Sequence, residues 1–247
     1  MLTTLNLVLG KLNEAGYSLV PAVFDGAHVD AITQGLEQAF QNPTAAAMRG
    51  ESGNVYGARN ILFLWRQAAS VWQQPPLPEI LTALLGPGFG LVRGLYFDKP
   101  PENTWALPWH KDMTIAVRDN RLGGTSFTKP TVKAGVPHIQ APLQVLERIA
   151  TARIHLDDVT EENGPLRVIP GSHRTGVSME LWDVAPQSIL AGAGDVLLMR
   201  PLLAHASNRS LPGTARHRRI LHLEFAAAGE LPDGYQWHDF HRFQGTV

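Results

Sequence analysis

The residues whose types and spacing could do chemistry are two histidines and an aspartate. His110 and Asp112 stand two positions apart in the run Trp109-His-Lys-Asp, and residues at i and i+2 of a β-strand point to the same face. His205 follows the apolar segment 195–200, so a closed barrel could bring it opposite that pair. Two imidazoles and one carboxylate on one face leave three adjacent metal positions open, which is the arrangement of iron(II) oxygenases. His110, Asp112 and His205 are therefore the predicted metal ligands.

A His-x-Asp pair alone is weak evidence for a metal site, because such a spacing often arises by chance. The chain has ten histidines, and most of the other eight are better interpreted as surface or hydrogen-bonded residues. A basic segment downstream of His205, residues 216–225, strengthens the prediction. An arginine from this segment could form a bidentate pair with the distal carboxylate of a 2-oxo diacid. Strand alternation puts Arg218, Ile220, His222 and Glu224 on one face. For Arg216 and Arg219, a solvent-facing position is the better interpretation.

The elements that must position these residues are short strands. From Phe89 onward, short alternating or apolar runs are broken by Gly, Pro, Asn and Asp, which is typical of many antiparallel strands. The predicted strands are 91–98, 113–117, 152–158, 166–169, 195–200 and 218–226. Between two of them, Asn163-Gly164 predicts a hairpin turn, because both residues tolerate positive φ. We therefore predict a mainly β fold, a jelly roll or related double-sheet barrel.

The N-terminal part of the chain has a mixed pattern. Apolar residues at helical spacing predict a first helix that ends at about Gly16. The pattern of residues 17–24 then predicts a short strand, and helical spacing over residues 25–41 predicts a second helix. Helices are thus expected to accompany the barrel.

A polar stretch, residues 118–148, interrupts the predicted strands and turns helical at about 142–150. An insertion of this length inside a barrel is usually functional or mobile. No composition shift marks a domain boundary. We therefore predict one domain over 1–247, with a helical and mixed part at 1–88 and a jelly-roll core at 89–228.

The composition restricts the partners and the compartment. The chain has 21 Lys and Arg against 22 Asp and Glu, a net charge of -1, so it has no long-range field for nucleic acid or anionic membranes, and a small-molecule partner is expected. It contains no cysteine, which excludes disulfides, zinc-thiolate sites, iron-sulfur clusters and thiol nucleophiles. The N-terminus lacks the features of a secretion signal, so we predict a cytoplasmic protein.

Longer runs around these residues carry a family resemblance. They are Leu156-Asp-Asp-Val-Thr-Glu-Glu-Asn-Gly-Pro-Leu-Arg-Val-Ile-Pro-Gly-Ser-His173, Gly194-Asp-Val-Leu-Leu-Met-Arg-Pro-Leu-Leu-Ala-His205, Asn208-Arg-Ser210 and Lys99-Pro-Pro. Together they resemble the phytanoyl-CoA dioxygenase family, well over residues 90–226 and weakly over 1–60. The resemblance implies a cupin-like double-stranded β-helix that binds iron(II) and 2-oxoglutarate. It also implies a reaction with O2 that hydroxylates a small organic substrate and releases succinate and CO2.

The resemblance also implies roles for single residues. His110, Asp112 and His205 match the iron ligands of the family, and the presence of the carboxylate ligand favours hydroxylation over halogenation. Ser207 and Arg218 match the positions that bind the carboxylate of 2-oxoglutarate.

Further positions are implied by the same comparison. Arg153 falls where relatives place a residue beside the cosubstrate, where it could contact either 2-oxoglutarate or an acidic substrate. Arg59 falls near the place where relatives supply a basic residue from the N-terminal region. Trp105 and Trp109 lie close to the metal ligands in sequence and either wall the substrate pocket or pack in the core.

Two other functions use the same residues. A metal-dependent hydrolase or isomerase on a cupin-like scaffold would use the three ligands to activate water. Arg218 and Ser207 argue against it, because a hydrolase has no need of a buried clamp for a diacid. A non-catalytic jelly-roll binding module would leave the histidines incidental and would bind no metal tightly. The sequence leaves the substrate and the oligomeric state open.

Overall fold

Two facing β-sheets form the body of the protein. The computed structural model describes residues 2–44, 46–180 and 184–245. Within them, an eight-stranded and a four-stranded sheet build the double-stranded β-helix, and a three-stranded sheet lies at its side. The predicted mainly β jelly roll with N-terminal and flanking helices is confirmed.

The strands are numbered in chain order, and neighbours in each sheet pair antiparallel. The larger sheet contains β1 (Tyr17–Val20), β2 (Ala47–Arg49), β3 (Val55–Ala58), β4 (Gly90–Phe97), β9 (Ile149–His155), β12 (Val196–Met199), β14 (Ile220–Ala226) and β15 (His241–Arg242). The smaller sheet contains β5 (Leu107–His110), β10 (Leu166–Val168), β11 (Gln187–Ile189) and β13 (His205–Ser207). The third sheet contains β6 (Thr114–Ala116), β7 (Thr128–Lys133) and β8 (Val136–Gln140).

The order of strands in the larger sheet is β1-β12-β9-β14-β4-β3-β2, and β15 also pairs with β4. The smaller sheet has the order β11-β10-β13-β5, and the third sheet has the order β6-β8-β7. All six strands predicted from Phe89 onward are present, with bounds that differ by up to three residues, and the predicted strand 17–24 is limited to β1. Strands β1, β2 and β3 come from the N-terminal part, so this part contributes to the barrel as well as to its helices.

The helices are α1 (Leu2–Glu14), α2 (Gly26–Ala39), α3 (Ile61–Leu64), α4 (Ala68–Val71), α5 (Leu77–Leu85) and α6 (Leu143–Leu146). Helices α1 to α5 pack on the outer face of the larger sheet, where they complete the main hydrophobic core, and α6 packs in the second core cluster beside the third sheet. Helix α2 begins where Asp25 accepts a hydrogen bond from the backbone N–H of His28, which caps its first turn. In the part of the chain that the structure describes, no helix has the length and apolar character to cross a membrane.

Strand β14 shows how the larger sheet separates core from cavity. Leu221, Leu223 and Phe225 alternate outward into the helix-covered core, whereas His222 and Glu224 point inward between the two sheets. Both sets are buried. Period-two alternation therefore gives this strand an apolar outer face and a polar, site-forming inner face.

The interruption at residues 118–148 is more ordered than the sequence suggested. It contains strands β7 and β8, which form a hairpin and pair with β6 as a separate sheet. The predicted helix at 142–150 is limited to α6, because the chain enters the central strand β9 already at Ile149. Polar residues on β7 hid this strand, since one of its faces lies against solvent.

The predicted hairpin at Asn163-Gly164 is wrong. Strands β9 and β10, on either side of it, belong to different sheets, and only Gly164 has a positive φ, of 67°. The Asn163 side chain instead accepts a hydrogen bond from the Thr160 N–H and donates to the carbonyls of Asp158 and His217. A fully buried asparagine thus holds together the crossover between the two sheets.

Gly194 is required where the loop before β12 meets the chain before α2. Its φ is +89°, and a Cβ at this position would stand 2.0 Å from the Phe24 carbonyl oxygen. We expect Gly194→Ala to lower the free energy of unfolding by at least about 2 kcal/mol, because backbone atoms must move to relieve the overlap. Gly88→Ala is the matched control, since nothing lies within 4 Å of its Cβ. Equal urea midpoints for the two variants would contradict this packing.

Buried histidines make the stability of the fold depend on pH. Burial, followed by the nearby charge of Arg153, lowers the pKa of His155 to about 4. The unfolded chain therefore binds a proton near pH 6.5, whereas the folded chain binds it only near pH 4. As a result, the free energy of unfolding falls as the pH drops from 6.5 to 4. We expect His155 to contribute a loss of about 3 kcal/mol between pH 7 and pH 4.

The slope of stability against pH tests this contribution. In His155→Gln, the free energy of unfolding should depend less steeply on pH between 6.5 and 4, by the equivalent of about one bound proton. Urea unfolding at each pH measures this slope. A slope that His155→Gln does not alter would show that folding leaves the pKa of this imidazole unchanged.

Candidate active site

The structure brings the three predicted metal ligands together at one edge of the smaller sheet. His110 ends β5 and stands directly opposite His205, which begins β13, in the antiparallel register. Asp112 lies beyond the end of β5, where its N–H donates a 2.9 Å hydrogen bond to the Pro201 carbonyl. The expectation that both residues of the His-x-Asp pair share a strand is therefore wrong, although their side chains do converge.

Lys111, between the two ligands, fixes this segment from behind. Its side chain is buried and its ammonium donates to the carbonyls of Ser172 and Gly176 and to the Thr175 hydroxyl, over 2.6–2.8 Å. Three acceptors satisfy all three donors of the ammonium group. The chain on either side of Lys111 is thereby anchored to the turn at 172–176, which orients Asp112.

The geometry of the three side chains suits one metal ion. Asp112 stands 3.7 Å from His110 Nε2 and 3.6 Å from His205 Nε2, measured from separate carboxylate oxygens. One ligand atom from each residue lies within 4.8 Å of the other two. Atoms bound at about 2.0–2.2 Å to a common metal are separated by such distances.

Hydrogen bonds set the tautomer of both imidazoles. His110 Nδ1 donates to the Pro108 carbonyl and His205 Nδ1 donates to the Leu203 carbonyl, both over 2.8 Å. The lone pairs of the two Nε2 atoms are thus directed at Asp112. A backbone carbonyl behind each ring is the usual support of a metal-binding histidine.

The pKa shifts keep the ligands in their metal-binding forms. Burial lowers the pKa of His205 to about 4, so this imidazole is neutral at pH 7. Burial opposes ionisation of Asp112, but His205, His222, His110 and Arg93 outweigh it and lower the pKa of this carboxyl to about 2. A neutral imidazole and an ionised carboxylate are the forms that bind metals.

The three residues face a small cavity of about 60 Å³ between the two sheets. Its wall contains five charged residues and histidines from the larger sheet and its ends, and apolar side chains from both sheets. The lining residues are Arg93, Leu95, Phe97, Trp105, Leu107, His110, Asp112, Arg153, Leu166, His205, Ser207, Arg218, His222 and Glu224.

Arg218 lines the cavity and is buried, with an exposed fraction of 2%. Its Nη1 donates to the Gly164 carbonyl over 2.8 Å, while its buried Nε–H has no partner among the described residues. Arg219 instead pairs with Asp157 over 2.7 Å, outside the cavity. The geometry therefore supports Arg218 over Arg219 as the arginine that faces a ligand. It also shows that Arg219 does not simply face solvent.

Ser207 lies beside Arg218, and Lys99 orients its hydroxyl. Lys99 is fully buried, and its Nζ donates to Ser207 Oγ over 3.0 Å and lies within hydrogen-bond distance of the carbonyls of Gly164 and Asn208. The serine hydroxyl accepts from Lys99 and keeps its own proton available for a ligand in the cavity. Burial, followed by the charges of Arg218, Arg153 and Arg209, lowers the pKa of Lys99 to about 6.

A hydrogen-bonded chain crosses the larger sheet on the cavity side. Arg153 Nη1 donates to His222 Nδ1 over 3.0 Å, and His222 Nε2 donates to Glu224 over 3.2 Å. Glu224 in turn accepts from Arg93. The guanidinium Nε atoms of Arg153 and Arg93 are buried and have no partner among the described residues. Each arginine thus retains a free donor in the cavity region.

The two tryptophans and Arg59 differ in their positions. Trp105 lines the cavity, whereas Trp109 packs under the guanidinium of Arg167, 5.7 Å from its ring centre. Arg59 is half-buried and lies outside the cavity lining. Burial, and then the charge of Arg93, lower the pKa of Arg59, while Glu224 acts in the opposite direction.

Sequence reasoning missed several residues of this site. Arg93, Lys99, His222 and Glu224 were given no role there, yet they form its polar wall. The one usable signal was alternation on β14, which places His222 and Glu224 on one face. Arg93 gave no signal, because one arginine in an apolar strand has no informative spacing.

Fold and site together define a class of protein. A jelly roll with two imidazoles and one carboxylate at an internal cavity is the arrangement of mononuclear non-haem iron oxygenases. The sequence profile of phytanoyl-CoA dioxygenase (PhyH) matches residues 12–218. The chain therefore belongs to the phytanoyl-CoA dioxygenase family.

Solved structures with a similar fold come from several enzymes. EctD from S. alaskensis, crystallised with 2-oxoglutarate and 5-hydroxyectoine, has a TM-score of 0.67 and 18% identity over 89% of this chain and 74% of its own. The non-heme alpha ketoglutarate dependent epimerase SnoN from nogalamycin biosynthesis has a TM-score of 0.65 and 17% identity over 95% and 88%.

EvdMO1 also has this fold, with a TM-score of 0.65 and 19% identity. The match covers 90% of this chain but 49% of EvdMO1, so this chain spans about half the length of that protein. No curated protein matches the chain. At these identities the likeness to solved structures supports the fold alone.

Proposed function

We propose that this protein is an iron(II)- and 2-oxoglutarate-dependent dioxygenase that hydroxylates a small organic substrate and releases succinate and CO2. The observation that carries the proposal is that one cavity contains both the His110, Asp112 and His205 cluster and the buried Arg218. A set of three metal ligands alone would suit many reactions. When the same cavity also contains a buried arginine with an unsatisfied donor, the site suits a cosubstrate that has a carboxylate.

The donor set fits iron(II). Two neutral imidazoles and one carboxylate bind through three positions and leave room for the cosubstrate and O2. Carbonyl acceptors behind His110 and His205 would hold both rings in place when the metal binds. The absence of thiolate ligands, in a chain without cysteine, disfavours a structural zinc site.

The far end of the cavity fits the distal carboxylate of 2-oxoglutarate. Arg218 would contribute its free Nε–H and Ser207 its hydroxyl proton, while Lys99 keeps that hydroxyl in position. Arg153, which also keeps a free buried Nε–H, would add positive charge beside the cosubstrate. Burial of these cations is costly without an anion, which favours a bound diacid in the working enzyme.

Iron(II), 2-oxoglutarate and O2 supply the oxidising chemistry that breaks an unactivated C–H bond, and the protein supplies position and a dry site. Leu95, Phe97, Leu107 and Leu166 line the cavity with apolar surface. This surface excludes water from the metal side of the cosubstrate, so the oxidising power is directed at the substrate. The chain Arg153–His222–Glu224–Arg93 would hold the opposite wall rigid.

The hydrolase or isomerase alternative and the binding module make different predictions for one experiment. Anaerobic addition of iron(II) and then 2-oxoglutarate to the apoprotein should produce a weak visible charge-transfer band of a chelated 2-oxo acid. Metal binding without this band would favour a hydrolase or isomerase that activates water. Absence of metal binding would favour the binding module.

A further inference from the structure

The charges that line the cavity leave a positive surplus after the proposed cofactors are included. Arg93, Arg153 and Arg218 contribute three positive charges, while Asp112 and Glu224 contribute two negative charges. Iron(II) and the 2-oxoglutarate dianion add charges that cancel each other. The loaded cavity therefore keeps an excess of one positive charge in a region shielded from water, where an uncompensated charge is costly.

Two further cations extend this surplus at the end of the cavity region near Arg93. The Asn60 side chain donates a 3.1 Å hydrogen bond to the carbonyl of Ala134, in the turn between β7 and β8. This contact places Arg59, before Asn60, close to Lys133, before Ala134. The Lys133 ammonium donates to Thr114 Oγ1 over 3.0 Å, and Thr114 is two residues from Asp112.

The third sheet presents a polar face to these cations. Antiparallel partners share a face, and Thr114 pairs with Gln140 while Ala116 pairs with His138. On the opposite face, Ile115 and Ile139 belong to an apolar core cluster. Thr131 pairs with His138, and Lys133 lies two residues further along β7. Its side chain therefore projects on the same polar side.

Neither added cation has an acidic partner. Within residues 2–44, 46–180 and 184–245, the guanidinium of Arg59 makes no hydrogen bond or ion pair, and the ammonium of Lys133 bonds to a neutral hydroxyl. Arg93, by contrast, is paired with Glu224. Burial, then the charges of Arg93 and Arg59, lower the pKa of Lys133. Among the described residues, these half-buried cations repel each other, and the carboxylates that partly offset their charges, Glu224 for both and Asp112 for Lys133, form no ion pair with either.

We propose that the substrate is an organic anion and that Arg59 and Lys133 bind its carboxylate or phosphate group. This inference rests on the proposed function, because it assigns the second reactant of the same site. It also moves Arg59 from the cosubstrate to the substrate. Arg218 and Ser207 serve 2-oxoglutarate inside the cavity, and Arg59 and Lys133 serve the substrate just outside its lining, on the side of Arg93.

Direct anion binding tests the proposal without knowledge of the natural substrate. Anaerobic protein saturated with iron(II) and 2-oxoglutarate is titrated in a calorimeter with benzoate, with inorganic phosphate and with neutral benzamide. Benzoate or phosphate should bind once per chain, and benzamide should bind at least about tenfold more weakly. Binding of benzoate alone identifies a carboxylic acid substrate, and binding of phosphate alone identifies a phosphate ester.

Variants of the two cations connect binding to the proposed residues. In the double variant Arg59→Gln/Lys133→Gln, the anion affinity should fall at least about tenfold, while the affinity for 2-oxoglutarate stays within about twofold. The matched control is Arg66→Gln/Lys129→Gln, which removes two exposed cations from neighbouring segments. This control should bind the anion as the wild type does.

Three results would overturn the proposal. The first is that neither anion binds the wild type. The second is that the double variant binds the anion as well as the wild type does. The third is that the double variant loses affinity for 2-oxoglutarate instead, which would return Arg59 to the cosubstrate. Failure of the proposed function is distinguishable, because the wild type would then show no charge-transfer band. In that case the same titration on metal-free protein still measures whether Arg59 and Lys133 form an anion site.

Discussion

Replacing Asp112 with alanine is expected to abolish iron(II)-dependent turnover while the jelly roll stays folded. The carboxylate is the only anionic donor of the cluster, and it stands within 3.7 Å of both histidine Nε2 atoms. Without this carboxylate, the two neutral imidazoles lack both the negative charge and the third ligand atom that hold a hard divalent ion. We expect the affinity for iron(II) to fall at least about 100-fold, since even changes behind a ligand cost 10–100-fold.

The fold should survive this change because Asp112 contributes little packing. Its side chain is about 29% exposed, and the segment is anchored by its backbone N–H and by Lys111. Far-ultraviolet circular dichroism and a melting curve of the apoprotein test this point. Asp119→Ala, in a surface pair with Arg121, is the control and should bind iron(II) normally. Retained turnover in Asp112→Ala would remove the proposed ligand set.

The second large effect is expected for Arg218→Met, which should weaken 2-oxoglutarate binding without removing the metal. Truncating one side of a buried charge pair costs about 2–5 kcal/mol, so the Kd for 2-oxoglutarate should rise at least about 30-fold. The iron(II) affinity measured without cosubstrate should stay within about twofold, because Arg218 contacts no predicted ligand. Methionine keeps most of the side-chain volume and limits the cavity left behind.

The unbound variant should be as stable as the wild type or more stable. The buried guanidinium of Arg218 is paired with a carbonyl rather than an acid, and burial lowers its pKa to about 9. Removing a poorly compensated buried charge relieves that cost. Arg216→Met, at an exposed position of the same segment, should leave the Kd for 2-oxoglutarate unchanged. An unchanged Kd in Arg218→Met would refute the clamp.

These predictions separate the metal, the cosubstrate and the substrate within one cavity. Asp112→Ala should remove the metal and with it the chelated cosubstrate, Arg218→Met should weaken cosubstrate binding, and Arg59→Gln/Lys133→Gln should weaken substrate binding alone. The arrangement follows from strand alternation. Inward residues of β9 and β14 give the cavity a polar wall, whereas the smaller sheet contributes the metal ligands at one edge.

The sequence by itself determined the class of fold and the chemistry of the centre. Period-two patterns and turn residues predicted the strands of the jelly roll, because each strand buries one or both faces in a regular way. The three ligands were predicted from residue type and spacing together with the family resemblance. Local patterns suffice for such features, since strand alternation and donor chemistry are properties of short segments.

The tertiary structure decided which elements meet. It showed that Asn163-Gly164 joins two sheets rather than two strands of a hairpin, and that residues 118–148 contain a hairpin that pairs with β6 in a third sheet. It placed His110 opposite His205, which are 95 positions apart in sequence. Only the fold brings Arg59 and Lys133 together through the contact of Asn60 with Ala134. Such contacts depend on sheet order and on the closure of long loops, and no local sequence pattern records either of them.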